Sequence, residues 1–416
     1  MKRVTAWYFK LNIYYKFIPF LLLYVCIVIL FPKEIAIGDQ TRYLRFANNL
    51  LNGFYSPPYP RIDIWNGPGY PLFLAPFIFF KCSYVFLRLL NAILLYFSLI
   101  ITCKTFSFYS SSKSALFFTI LLGLFFPIYE VLRQVLTESL TWFLISLICF
   151  LFVKNFNQKI IYWKLIILTA LTISYLAMTK VIFGYVIIFM LFVSLLLYLI
   201  PKFRLSATKS IFIFLFSFFL CLPWLIYTYN LTNKTFYWAN SGNMSLYTMS
   251  TPYAGETGQW YEEKDLLKNP NHKVFIDSIL NLTPLQRDAA YKKEAIKNIS
   301  THPKKYTMNL ISNMGRLLFF PSDYAPDTIF SYYPFVPNMF IVVFIFCSLT
   351  IGVVNYKRIP KELIFLFIFF AIYLIGSTAL SAYRRMFHVT MPFWFLFIGY
   401  IFTNVISIKI RNRNIT

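Results

Sequence analysis

Four places along this 416-residue chain put ionisable side chains where their surroundings give them work to do. Asp39 follows Gly38, close behind the first apolar run, in IAIGDQTRYLRFANNLLNGFY. A carboxylate at a membrane rim can take a proton from an attacking hydroxyl as a general base. Asp is equally a favoured residue at a helix start, where it satisfies free amides. Glu138 stands in VLTESLTWFLISL, near one end of an apolar stretch. An acid in an apolar helix costs about 2.5–3.5 kcal/mol at mid-membrane and less near the interface, so it must face protein or a wet cavity, or snorkel to water. Lys180, in AMTKVIFGY, lies between two apolar runs. It is either an ordinary loop lysine or an ammonium kept near the rim, where it can hold a lipid phosphate. In SAYRRMFHVTMPFWF, Arg384, Arg385 and His388 fall within five residues. Arginine's planar fork matches phosphate oxygens two at a time; the competing role is pairing with an acid such as Asp39. A lone histidine at an interface, as His388 would be, is usually structural.

The elements that must position these groups are membrane helices. The chain is 59% hydrophobic, 21% aromatic and only 13% charged, with a mean hydropathy of +0.63. A soluble domain carries about 25% charged residues, and this much apolar surface needs a bilayer as its solvent. Net charge is +24, but the lysines and arginines cluster in short stretches between apolar runs, as membrane loops require, so no nucleic-acid partner is expected. The six cysteines lie in or beside apolar runs without a CxxC pair and read as inert thiols. Candidate spans cover about 17–31, 83–103, 114–129, 136–153, 164–178, 181–200, 210–229, 337–354, 362–379 and 389–407. The first reads as a retained helix rather than a signal peptide. The expected fold is all-α: a polytopic membrane protein of roughly ten transmembrane helices with amphipathic juxtamembrane helices and a large extracytoplasmic loop. Residues 1–229 form an N-terminal transmembrane module with a first outer loop at 32–70, residues 230–336 the large outer region, and residues 337–416 the C-terminal helices.

Charge gives the orientation. With both termini cytoplasmic, every inside segment is basic, from Lys2, Arg3, Lys10 and Lys16 to Lys409, Arg411 and Arg413, and Glu362 is the one acid among them. The remaining acids fall outside or at outer helix ends, Glu34, Asp323 and Asp327 included. Tyr43, Phe46, Ala47, Leu50 and Leu51 recur at helical spacing, predicting a surface helix with Asp39 at its N-terminus. The Pro57-Pro58 and Asn66-Gly67-Pro68-Gly69-Tyr70-Pro71 stretches predict a rigid loop leading back to the membrane. Phe275, Ile279 and Leu282, then Ala289, Ala290, Ile296 and Ile299, predict amphipathic helices on the outer face. Glu130 and Arg133 are close enough in sequence to pair.

Four landmarks in order, GDQTRYLRFANNLLNGFY, GPGYPLFLAP, LTESLTWFL and PWLIYTYN with the late YRRMFHVTMPF, resemble the membrane-embedded glycosyltransferases of the GT-C class. The bacterial branch related to protein O-mannosyltransferases and lipid A aminoarabinose transferases is the most similar. The chain departs where many relatives carry Asp-Glu, having Asp39-Gln40, and where late loops often read Arg-Tyr, having Tyr383 before its arginines. The resemblance implies an inverting transferase in the inner (plasma) membrane that takes its sugar from a polyprenyl-phosphate donor at the outer leaflet. The acceptor would be an envelope glycolipid, glycan or protein. Asp39 would be the general base; Arg384, Arg385 and Lys180 would neutralise the departing phosphate; Glu138 would orient donor or acceptor, or help hold a divalent cation. Tyr43, Tyr383 and His388 join the substrate-binding set. A divalent cation is left open, since no ligand cluster demands one. Two rival readings stay in view: an O-antigen polymerase or ligase, which would need essential arginines in the large loop, and a non-enzymatic lipid or polysaccharide transporter, which would need ionisable groups deep in the membrane.

Overall fold

A computed structural model of the protein describes residues 11–31, 38–319 and 335–406. The expectations placed on Lys2, Arg3, Lys10, Glu34, Asp323, Asp327, Lys409, Arg411 and Arg413 lie outside the described residues. The chain is a polytopic helical membrane protein. Each of the ten expected spans coincides with a helix: α1 Ile18–Leu30, the bent pair described below, and eight others that are labelled as they arise. Among the described residues five helices are long and apolar enough to cross a bilayer, and the expected third span is broken. Its two pieces meet at a 44° bend after Gly123, where Pro127 opens a short 3-10 turn.

After α1 comes the predicted surface helix, α2 (Asp39–Leu51). Its buried face is Tyr43, Leu44, Phe46 and Ala47, while Leu51 is exposed. One apolar helix was not expected: α3, Gly69–Phe79, fills the stretch between the first loop, 32–70, and the span expected from 83. At eleven residues it is too short to span. Gly69 abuts Thr179, and α4 (Tyr84–Phe106) restarts on the same side, where Asn91 donates to the Gln134 carbonyl at 2.7 Å. The helix therefore does not cross. Ser83 starts α4 by accepting the Phe86 N–H.

The spans that carry the site are α5 (Glu138–Phe156), α6 (Trp163–Thr179), α7 (Ile182–Tyr198) and α8 (Arg204–Thr232). Later come α9 (Phe335–Val354) and α10 (Lys361–Ala379). The short α11 (Arg384–His388) precedes the last apolar helix, α12 (Met391–Tyr400), which continues as a π turn to Val405. Aromatic rings fill the bundle: Phe183 of α7 stacks on Tyr373 of α10 at 4.4 Å.

Charge divides between the two ends of the bundle. At one end, Lys209 is buried and donates to the carbonyls of Asn155 and Gln158 at 2.8 and 2.6 Å, closing the C-terminus of α5 where the helix dipole favours a cation. The one acid expected there, Glu362, is buried and accepts from the Tyr109 hydroxyl at 2.7 Å. Glu138, Asp39 and the acids of the large outer region gather at the opposite end.

That outer region folds into short helices around its own core of Met244, Tyr247, Leu266, Ile276, Ile279, Tyr291 and Ala295. The predicted amphipathic helices are Pro270–Ile279 and Pro284–Thr301, the second opened by a Thr283 capping box. The buried stripe of the second helix is Asp288, Tyr291, Ala295 and Asn298. Of the residues in the predicted apolar pattern, Ile279 is buried in this core, and Leu282 and Ile296 are exposed. The stripe is half polar because Asp288 bonds Tyr237 and Asn243, at 2.5 and 2.8 Å, and apolar periodicity passes over such positions. Trp65, from the first loop, packs against both this core and the membrane core.

Candidate active site

Asp39 is the first residue of α2, and Gly38, at φ +120°, occupies the cap position. No L side chain adopts that backbone easily. The capping role weighed for Asp39 thus falls to the preceding glycine, and the carboxylate is left for other partners. Arg385 takes it: Nη2 donates to Asp39 Oδ2 at 2.7 Å across 346 residues of sequence. Arg42, one turn along α2, sits 3.7 Å from the other oxygen.

Glu138 opens α5 and is buried. Lys180, in the tight turn between α6 and α7, donates to its Oε1 at 3.2 Å. Arg385 Nε lies 3.8 Å from the same oxygen. The neighbouring Thr137 hydroxyl faces Oε2 at 3.4 Å. One guanidinium therefore stands between two carboxylates, and one of these also holds an ammonium. Asp39, Glu138, Lys180 and Arg385, drawn from four separate parts of the chain, converge in one polar cluster at the end of the bundle.

The backbone around the cluster is fixed by close packing. A Cβ on Gly69 would lie 2.6 Å from Thr179 N, and the Tyr175 hydroxyl donates to the Gly69 carbonyl at 2.9 Å. The first loop is thereby pressed against the turn that bears Lys180. The Val135 N–H donates to Gln40 Oε1 at 2.9 Å, fixing α2 against the approach to Glu138. Asn313 donates to the Thr378 carbonyl at 2.8 Å and accepts the Ala382 N–H at 3.1 Å, holding the segment that leads to Arg385.

Burial works to raise the Asp39 pKa, but the Arg385 charge and hydrogen bond, with Arg42 and Lys180, hold it below the usual carboxylate range. Burial would lower that of Arg385, but Asp39 and Glu138 raise it. Both groups are ionised at neutral pH, and the resting cluster is internally paired. The role of an arginine as an acid's partner, set against the phosphate role, is thus realised for both residues. Arg384 pairs with Glu130 at 2.9 Å. Glu130 does not take Arg133, as sequence proximity suggested; Arg133 instead caps the Phe31 carbonyl at the end of α1.

Of the other expected substrate-binding residues, Tyr383 lies beside the cluster, with the Arg385 guanidinium 5.6 Å from its ring centre. Tyr43 is buried one turn after Asp39, its hydroxyl accepting from Asn66 at 3.2 Å. His388 faces elsewhere. Its ring is buried against Phe125, and Nε2 meets Asn338 Oδ1 on α9 at 3.0 Å. Burial and the Arg384 charge push its pKa down to about 3, so it is neutral. Sequence reasoning missed Gln40, Arg42 and Glu130; only Arg42 carried a signal, its i+3 spacing from Asp39.

Among the described residues no group of three or more His, Cys, Asp or Glu side chains has metal-site geometry. The two carboxylates of the cluster, Asp39 and Glu138, are already bridged by Arg385, whose fixed charge stands where a cation would bind. The residues present do not fit a metal.

No family model matches the sequence, and no curated protein matches it. Solved structures do. The crystal structure of the Archaeoglobus fulgidus oligosaccharyltransferase, tethered with an acceptor peptide containing the NVT sequon, superposes with a TM-score of 0.50 at 13% identity. It covers 92% of this chain, which spans 48% of that enzyme's length. ArnT from Cupriavidus metallidurans bound to undecaprenyl phosphate gives a TM-score of 0.42 at 11% identity, over 93% of this chain and 77% of that one. At such identities the likeness is one of architecture: this chain has a GT-C-type membrane fold.

Proposed function

We propose that the protein transfers a sugar from a polyprenyl-phosphate donor to an envelope acceptor, a glycolipid, glycan or protein, with inversion at the anomeric carbon. The observation that carries this reading is the meeting of Asp39, Arg385, Glu138 and Lys180 at the end of the bundle opposite its basic loops. By the positive-inside rule that end is extracytoplasmic and both termini are cytoplasmic, which suits a donor lying in the outer leaflet of the inner membrane.

The acceptor hydroxyl attacks the anomeric carbon, its proton passes to the Asp39 carboxylate, and the bond from that carbon to the phosphate oxygen breaks with its electron pair going to the phosphate. Two fixed cations, Arg385 and Lys180, receive the developing negative charge where no solvent reorganisation is needed. A guanidinium has five N–H donors, so Arg385 can accept phosphate while turning from Asp39. Donor arrival would then weaken the Asp39–Arg385 pair and make the carboxylate a stronger base just as the hydroxyl needs one. Glu138 holds Lys180 and Arg385 in register.

The rival that needs essential arginines in the large loop finds Arg287 paired with Glu263 and Arg316 bonded to Thr257 and Asn313. The test is to replace Asp39 by Asn in a deletion strain and profile envelope glycolipids, glycans and glycoproteins by mass spectrometry. The variant should insert and melt as wild type yet fail to restore the missing glycoform. Full restoration would remove Asp39 as base.

A further inference from the structure

A strip of side chains leads from Asp39 away from the phosphate-facing cations. Arg42 lays its guanidinium 5.0 Å from the centre of the Trp65 ring. Its Nη1 is buried and makes no hydrogen bond. Trp65 stands 6.4 Å from Trp260, with the rings tilted by 40°. The two tryptophans come from the first loop and the large outer region, and both are half-buried.

Both indoles stand on fixed backbone. The Trp65 N–H donates to Asp63 Oδ1 at 3.2 Å, and the Ile64 carbonyl accepts from Asn240 N at 3.2 Å. Trp260 follows a turn at Gly258, whose φ of +76° and closeness to Met249 exclude a side chain. The Gly258 carbonyl accepts from the Ser381 hydroxyl at 3.0 Å, which ties this turn to the segment bearing Arg385. Two half-buried indoles, each packed on one side against the core, are thus held on fixed backbone beside the Arg42 guanidinium.

That combination suits one class of ligand. A pyranose has faces of C–H bonds that stack on electron-rich indole and an edge of hydroxyls that accept from a guanidinium such as that of Arg42, whose side chain is 23% exposed. A phosphate would seek the cations and leave the indoles unused.

We propose that Trp65, Trp260 and Arg42 form the acceptor subsite and that the acceptor is a saccharide, one ring of which lies on the indoles with a hydroxyl directed at Asp39. This rests on the transferase reading and selects a carbohydrate from the acceptors left open there.

The test uses the full chain in nanodiscs and, as probe, the lipid-free oligosaccharide pool released by mild acid from the envelope of the native host. Saturation-transfer NMR should show contact with sugar ring protons. Trp260→Leu and Arg42→Met should cut that signal by about five-fold or more, and Trp260→Phe should keep most of it, since an aromatic face is retained. Trp65 joins the two cores, so Trp65→Leu is informative only if it melts as wild type; Trp260→Leu carries the test. No transfer to wild type, or equal transfer to a well-folded Trp260→Leu, overturns the proposal. Asp39→Asn, assayed for sugar transfer rather than for binding, tests the base assignment by itself. If that variant still transfers sugar, the base assignment falls while the saccharide platform stands, so the two failures are separable.

Discussion

Lys180→Met is the sharpest perturbation of the polar cluster. Glu138 is only 1% exposed, and Lys180 is its nearest cation, at 3.2 Å. Removing one partner of a buried ion pair typically costs 3–5 kcal/mol, because the other charge is left without compensation. Here Arg385 Nε remains 3.8 Å away and the Thr137 hydroxyl still reaches the second oxygen. The loss should therefore sit at the low end, about 3 kcal/mol. Adding Glu138→Gln removes the stranded charge, so the double variant should recover at least half of that loss, a coupling of about 1–3 kcal/mol in a double-mutant cycle. Glu138→Gln alone should be milder, since Lys180 is 15% exposed and can reach water. The assay is reversible unfolding in mixed micelles for wild type, both single variants and the double. If Lys180→Met unfolds with wild type, or if the two single effects simply add, the pair is not coupled and the account of the cluster fails.

Four other outcomes can be checked. Asp39→Asn should lower turnover by about 10²–10⁴-fold, the usual contribution of a general base, in a single-turnover transfer assay. Arg385→Lys keeps the charge but not the fork, so donor affinity should fall in a binding assay with polyprenyl phosphate while the melting temperature stays close to wild type. His388→Asn should lower thermal stability through the lost Phe125 and Asn338 contacts, with donor affinity unchanged. In the outer layer, burial opposes the charge of Glu256, but hydrogen bonds from His272, Thr251 and Asn271 hold its pKa down at about 2 from a usual 4.5. A depressed carboxylate adds stability above 4.5 that is lost as pH falls towards 2. Glu256→Gln should flatten the melting-temperature profile across that window.

The sequence made the membrane fold legible because long apolar runs and the sign of loop charges report it directly, and every expected span has its helix. The helix Gly69–Phe79 escaped because it is short, carries Pro71 and Pro76, and follows a Gly- and Pro-rich stretch, all of which read as loop. In the large loop region the buried face also includes Asp288 and Asn298, polar positions that apolar spacing passes over. The site was legible in its members but not in its pairings. Asp39, Glu138, Lys180 and Arg385 stood out because charges near a bilayer need a reason. Nothing local decides which arginine meets which acid: Arg384 and Arg385 are adjacent, and their partners, Glu130 and Asp39, lie 254 and 346 residues away.

The contact of Gly67 and Gly69 with the backbone of Met178 and Thr179 limits how this protein can be re-engineered. Two stretches a hundred residues apart are moulded to each other there, immediately before the lysine that holds Glu138. A chimera that grafts the first loop of another protein of this fold, but keeps this chain's own 175–180 turn, will misplace that ammonium even if every charged residue is preserved. Swaps meant to exchange substrate preference should move the two stretches together.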